Sequence, residues 1–109
     1  MLQLEVVPGA RVEILEATQW MGDRSLELGE DLASEIHRVT LLLRRQPGLG
    51  SPMRGAADGI RKMVLRRFRY VLIYQVQGDV LQIISLMHTS RKPGYWAERI
   101  ERAATKPTS

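Results

Sequence analysis

The chain has 109 residues, a formal net charge of +4 and no cysteine. This length predicts one domain with a single core, and the lack of cysteine excludes disulfide bonds and thiolate zinc sites. Two histidines are too few for an ordinary metal centre, so we expect neither a metal nor another cofactor. No apolar stretch approaches the roughly 20 residues of a membrane span and the N-terminus lacks a signal-peptide pattern, so we expect a cytoplasmic protein with no membrane partner.

The first half of the chain predicts a strand and two helices. Residues 2–7 alternate weakly and end at Pro8-Gly9, which fits a short strand and a turn. Residues 10–21 carry apolar side chains three or four positions apart, as in a helix. After a break, Ser25 can cap a second helix, which has a clean apolar stripe and stops at Pro47-Gly48. The stripe consists of Leu28, Leu32, Ile36, Val39 and Leu43.

Several conspicuous side chains are expected to have structural rather than functional roles. Trp20, near the end of the first helix, is expected to pack into the core, and His37 is expected at the surface. Residues 49–59 are rich in Gly, Pro and Ala and are expected to form a surface loop. Tyr70 and Tyr74 are expected to be sheet residues that each keep one solvated end.

The second half of the chain predicts a β-meander. Residues 60–67, 70–76 and 80–87 are rich in β-forming side chains and are separated by tight breaks. The middle run is apolar on both of its alternating faces, which predicts a central strand that is buried on both sides. Residues 95–104 are expected to form a short helix, and residues 105–109 a frayed tail.

Together these elements predict an α+β fold in one domain over residues 1–104. Two consecutive amphipathic helices form a helical hairpin, and their joint apolar surface needs a sheet to cover it. The expected architecture is therefore an N-terminal strand, a helical hairpin packed on a mostly antiparallel twisted sheet, and a short C-terminal helix.

Positive charge is concentrated in the meander and the residues that follow it. Residues 1–59 carry six cations and nine anions, whereas residues 60–109 carry ten cations and three anions. A basic half in a small domain favours nucleic acid or an acidic protein surface as a partner, although a solvated basic surface would give the same pattern. Five of the cations lie within nine residues, namely Arg61, Lys62, Arg66, Arg67 and Arg69.

Three segments, whose order along the chain is the one expected for the family, resemble the RelE/ParE superfamily, the toxins of bacterial type II toxin–antitoxin modules. The segment RRFRYVLIYQVQGD is similar to the paired central strands of the family, and QPGLGSPMRG is similar to its loop between the second helix and the sheet. The ending H-x-x-R-x-P-x-Y-W is similar to the closing motif of the ParE-like branch. Its residues are His88, Arg91, Pro93, Tyr95 and Trp96.

The resemblance implies a growth-inhibiting toxin, of the kind that contributes to plasmid stabilisation, held inactive by a cognate ParD- or RelB-like antitoxin. A hetero-oligomer of toxin and antitoxin is expected. RelE-like members are endoribonucleases that cut messenger RNA on the ribosome, whereas ParE-like members inhibit DNA gyrase without a known hydrolytic site. A third alternative is an inactive toxin-like protein that persists as a complex-forming partner.

The residues of the sheet favour the gyrase inhibitor over the nuclease. Lys62 and Arg91 match cations of the RelE-like site, but Val64 and Val71 stand where those enzymes carry a second lysine and an arginine. If the protein is a nuclease, the expected catalytic residues are Lys62, Arg67, His88, Arg91 and Tyr95. If it acts by binding its target, the expected binding residues are Arg61, Lys62, Arg66, Arg67, Arg69, Arg91 and Trp96. His88 and Trp96 also have structural readings, as a strand-end hydrogen-bond partner and as a core residue.

Overall fold

Two α-helices pack on one face of a five-stranded mixed sheet. The computed structural model describes residues 1–90 and Arg99. The strands are β1 (Gln3–Val6), β2 (Ser51–Pro52), β3 (Arg61–Leu65), β4 (Tyr70–Gln77) and β5 (Val80–His88), and the helices are α1 (Pro8–Arg24) and α2 (Leu26–Arg45). The predicted α+β architecture with an N-terminal strand is confirmed, whereas the expected helix over 95–104 and the tail over 105–109 lie outside the described residues.

The sheet has the strand order β1-β5-β4-β3-β2. Strand β1 runs parallel to β5, and all other neighbouring pairs are antiparallel. Parallel pairing of β1 with β5 requires a long crossover connection, and α1 and α2 form part of it. Among residues 1–90 and Arg99, no helix is both long enough and apolar enough to cross a membrane.

The helix boundaries follow from local capping. Pro8 lies in the first turn of α1, where backbone N–H groups have no partner within the helix, so proline loses no hydrogen bond there. Helix α1 therefore begins at Pro8, before the predicted position. Ser25 separates the helices, and its hydroxyl accepts a hydrogen bond from the backbone N–H of Leu28 at 3.4 Å, as predicted. Helix α2 ends at Arg45, and Pro47 begins a short 3-10 turn.

The predicted stripe of α2 contributes Leu32, Ile36, Val39 and Leu43 to the core between the helices and the sheet, whereas Leu28 is only half-buried. Trp20 does not contribute to this core, because 51% of it is exposed. Ala17 is buried and Met21 packs against the core, and Trp20 lies about 100° around the helix from Met21. The guanidinium of Arg24 covers the Trp20 ring at 3.5 Å from its centroid. The expectation that Trp20 is a core residue is therefore wrong.

A second apolar cluster lies on the opposite surface of the sheet, which we call the far face. It consists of Ile60, Val71, Ile73, Ile84 and Met87. Met53 and Ala56 of the connector pack against it. Strand β4 is therefore central and buried on both sides, as predicted.

The connector over 49–59 is mostly exposed, as expected of a surface loop, but it also contains a short strand and a buried glycine. Its short strand β2 pairs with Arg61 and Lys62 of β3, and Gly50 is buried. The Tyr74 hydroxyl donates to the Pro47 carbonyl at 2.6 Å and accepts from the Gly50 N–H at 2.9 Å. A Cβ at Gly50 would lie 2.7 Å from Cε1 of Tyr74, so this contact requires glycine. Tyr74 is 0% exposed, which corrects the expectation of a solvated end.

Candidate functional site

The basic residues between β3 and β4 lie on a turn rather than on a continuous strand. Strand β3 ends at Leu65, which shortens the predicted run of residues 60–67, and a 3-10 turn over Arg66–Phe68 follows. Phe68 is buried and anchors this turn. Arg69 then adopts the left-handed conformation with φ of 57°, and its carbonyl accepts from the Thr89 N–H at 2.9 Å.

The structure divides the five clustered cations into engaged and available side chains. Arg61 is half-buried, and its Nη1 donates to the Gly50 carbonyl at 2.6 Å, which gives it a structural role. Arg67 is mostly exposed, and its Nη2 lies 3.0 Å from the Asp31 carboxylate. Lys62, Arg66 and Arg69 are exposed and form no ion pair with residues 1–90 or Arg99. We call residues 66–69 the basic turn. Lys62 on β3 and Arg66 and Arg69 on the basic turn are therefore the cations available to a partner.

Strand register places Lys62 and His88 on different surfaces of the sheet. Lys62 pairs with Ile73, which belongs to the far face. His88 pairs with Tyr70, which packs against the core on the helix side. Because directly paired residues share a face, Lys62 and His88 point to opposite sides and do not converge on one site.

The neighbours of Lys62 on the far face are apolar. Val64 lies two residues along the same strand and pairs with Val71 of β4. Val64 is 45% exposed, whereas Val71 is 7% exposed and belongs to the second apolar cluster. The positions at which the resemblance would require two further cations therefore form a cross-strand valine pair.

His88 is held at the end of β5 by its neighbours. Its ring meets the Tyr70 ring edge-on, with centroids 5.3 Å apart and an interplanar angle of 89°. Nδ1 of His88 accepts from the Ser90 N–H at 3.2 Å and lies 2.8 Å from the Ser90 hydroxyl. An accepting Nδ1 requires the proton of the neutral ring on Nε2. These contacts fit a residue that shapes the turn after β5.

Two grooves flank α2. The first lies between α2 and β3, ends at the basic turn and has a volume of about 300 Å³. It is lined by Val39, Leu42 and Met63, together with Arg38 and Arg66. The second has a volume of about 420 Å³ and lies between α1 and α2. It is lined mainly by apolar side chains, namely Val6, Ile14, Leu15, Ala33 and Ile36, with Arg11 and Thr18.

Sequence reasoning missed Asp31, the partner of Arg67. The signal was the opposite net charge of the two halves of the chain, because an acidic helix beside a basic turn favours ion pairs between them. The structure adds the register that selects this pair. Arg91, Tyr95 and Trp96 lie outside the described residues. Within residues 1–90 and Arg99, no group of three or more His, Asp or Glu side chains could hold a metal ion.

Solved structures of other proteins share this fold, and two toxins are among them. The isolated RelE toxin of E. coli is 20% identical, with a TM-score of 0.63 over 94% of this chain and 99% of that one. A chain of the chromosomal ParDE toxin–antitoxin system of P. aeruginosa is 15% identical, with a TM-score of 0.57 over 83% of this chain and 98% of that one. No curated protein matches the sequence significantly.

The family comparison covers most of the chain. The similarity to the solved structures concerns the fold alone, because both identities are low. The family model of the ParE toxin of the type II toxin–antitoxin system parDE matches residues 8–93. This range includes both helices and all strands except β1. The chain therefore belongs to the ParE toxin family of type II toxin–antitoxin systems.

Proposed function

We propose that this toxin inhibits DNA gyrase by binding to it, without cleaving RNA, and that a cognate antitoxin neutralises it. The observation that supports this proposal is the apolar surrounding of Lys62, whose neighbours on the far face are Val64 and Val71. Cleavage of an RNA phosphate requires an acid, a base and cations around one group. Lys62 and His88 do not meet, and two cations of the RelE-like pattern are replaced by valine.

The proposed target surface consists of the basic turn and Lys62 on the preceding strand, β3. Lys62, Arg66 and Arg69 are exposed, and Arg67 is only partly engaged by Asp31. Exposed cations on a turn favour an acidic protein surface through electrostatic complementarity, which accelerates association and fixes orientation. We propose that Arg91 and Trp96, which follow β5 in the chain, also contact the target. Arg61 takes no direct part in this proposal, because it is bound to the connector.

The proposed antitoxin site is the helical hairpin and the groove between α2 and the sheet. The α1–α2 groove is largely apolar, and Leu15, which lines it, is more than half exposed. An amphipathic helix fits such a groove, and an extended acidic segment fits the basic end of the α2–β3 groove. An antitoxin bound in this way would cover apolar surface and neutralise charge together.

A titration of supercoiling inhibition tests the proposed target surface. Purified toxin is added to gyrase and relaxed plasmid, and Arg66→Ala and Arg69→Ala are compared with Arg45→Ala, which removes an exposed cation at the far end of α2. Each turn variant is expected to raise the inhibitory concentration several-fold, because arginine is enriched among the interface residues whose truncation costs about 1 kcal/mol or more. Arg45→Ala should match the wild type. Equal potency of all four proteins would contradict the assigned surface.

A further inference from the structure

The edge of β5 is closed by side chains where β1 ends. Strand β1 pairs only with residues 80–83 of β5. Beyond them, the Ile84 carbonyl accepts from Nη1 of Arg99 at 3.0 Å, and the Leu86 N–H donates to the Glu13 carboxylate at 3.3 Å. The Ser85 hydroxyl donates to the same carboxylate at 2.9 Å. Glu13 and Arg99 therefore take the place of a neighbouring strand along this edge.

A specific receptor on α1 and β5 holds the Arg99 guanidinium. Its Nη1 lies 2.6 Å from Oε1 of Glu13, and the two side chains are 23% and 11% exposed. Gly9 lies one turn before Glu13 on α1, and a Cβ at Gly9 would lie 2.6 Å from Cζ of Arg99. The receptor thus consists of a carboxylate from α1, a carbonyl from β5 and a glycine that leaves room for the guanidinium.

This ion pair joins parts of the chain that are far apart in sequence. Glu13 lies in α1 near the N-terminus, and Arg99 follows the end of β5 by eleven residues. Both side chains are mostly shielded from water, so solvent screens their attraction less than that of an exposed pair. The contacts of Arg99 therefore hold this residue against α1 and β5.

We propose that Arg99 is a positioning residue for the toxic activity: its anchor to α1 and β5 supports the target contacts that we propose for Arg91 and Trp96, which precede it in the chain. This inference rests on the proposed role of Arg91 and Trp96 in target binding. It does not depend on which target the toxin has. Arg99 acts through its anchor, and Glu13 and Gly9 act by forming the receptor.

The experiment compares variants of both halves of the anchor. Arg99→Ala removes the guanidinium, Gly9→Ala fills its space, and Arg99→Lys keeps a cation that can donate to both oxygens. Gly22→Ala is the matched control, because a Cβ at this second glycine of α1 meets nothing within 4 Å. The readouts are the inducer dose that arrests growth, hydrogen exchange of the Leu86 amide, and the antitoxin affinity of each purified variant as a test of folding.

Arg99→Ala and Gly9→Ala are expected to raise the dose for growth arrest on the order of tenfold, with faster exchange at Leu86 and antitoxin binding retained. Arg99→Lys should recover most of the toxicity, and Gly22→Ala should match the wild type. Faster exchange with wild-type growth arrest would overturn the positioning role, and so would Gly9→Ala behaving like Gly22→Ala. If the wild type arrests growth without inhibiting gyrase, the proposed target fails while the growth readout still tests the anchor.

Discussion

Lys62 and His88 lie on opposite faces of the sheet, because Lys62 pairs with Ile73 on the far face and His88 pairs with Tyr70 beside the helices. A nuclease that used both residues would need them around one phosphate. The separation therefore gives different expectations for substitutions of His88 under the two candidate functions.

We predict that toxicity depends on Arg91 more than on His88. His88→Gln should change the dose for growth arrest by less than about threefold, whereas Arg91→Ala should raise it on the order of tenfold, as expected for a cationic contact. Loss of an imidazole that transfers protons would instead cost on the order of 10²-fold or more. Both variants are first shown to bind the antitoxin, and a loss for His88→Gln that exceeds the loss for Arg91→Ala would contradict the prediction.

Arg69 adopts a backbone conformation that favours glycine. Substitutions of Arg69 can therefore distinguish the effect of its charge from the effect of its backbone strain. With φ of 57°, Arg69→Gly should raise the free energy of unfolding by about 1 kcal/mol, because the left-handed conformation costs a side chain about that much. Arg69→Ala should leave this free energy within about 0.5 kcal/mol, since its strain is unchanged. Urea unfolding measures both values. Both variants should lose the same potency in the supercoiling assay, and a potency loss for Arg69→Gly alone would assign the effect to the backbone.

The buried phenol of Tyr74 predicts a loss of stability in alkali. Burial raises the pKa of Tyr74 above its usual value, and the Gly50 N–H and the charge of Arg61 offset this only in part. The unfolded chain therefore ionises first, so the free energy of unfolding is at its full value below about pH 10 and falls as the pH rises further. Burial also raises the pKa of Tyr70.

Tyr74→Phe should remove part of this alkaline slope, and it should lower the free energy of unfolding at neutral pH by about 1–3 kcal/mol, because the Pro47 carbonyl and the Gly50 N–H lose their partner. Tyr70→Phe is the control, since it removes a slope of its own without breaking these two bonds. Urea unfolding at pH 7 and at pH 10.5 measures both effects. An unchanged alkaline slope in Tyr74→Phe would contradict the assignment.

The valine pair on the far face predicts unequal tolerance of added charge. Val71→Lys should lower the free energy of unfolding by about 2 kcal/mol or more, because an ammonium at this buried position loses hydration without a partner. Val64→Lys, at the exposed member of the pair, should cost less than about 1 kcal/mol. Thermal unfolding compares the two variants, and equal losses would contradict the different burial of the two valines.

Hydrogen exchange of the toxin–antitoxin complex tests the proposed antitoxin site. Protection is expected in α1 and α2 along their shared groove, near Leu15 and Ile36, and at the end of the α2–β3 groove near Met63. An amphipathic helix laid in a groove buries such apolar anchors. Protection confined to residues 77–79, the turn between β4 and β5, would place the antitoxin elsewhere.

Elements with strong local patterns were predictable from the sequence. The stripe of α2, the Ser25 cap and the double burial of β4 follow from side-chain periodicity and capping chemistry, and the structure confirms all three. Strand β2 and the exposed Trp20 were not predicted. Two paired residues are too few for a periodic signal, and α1 has apolar residues on both its inner and outer faces, so its pattern does not select the buried one.

The candidate site was less predictable than the fold. The cations of the basic turn could be listed, but their availability depends on contacts between residues far apart in sequence, as in Arg61 with Gly50 and Arg67 with Asp31. The separation of Lys62 from His88 likewise depends on register across three strands, and a slip of one residue would reverse the face of a strand. Such pairings require the folded chain.

The most direct test of the proposed function assays the purified wild-type toxin in parallel for gyrase supercoiling and for messenger-RNA cleavage in a translating extract. We predict inhibition of supercoiling that added antitoxin reverses, with intact messenger RNA at the same toxin concentration. Ribosome-dependent cleavage that His88→Gln abolishes, with supercoiling unaffected, would contradict it and establish an endoribonuclease.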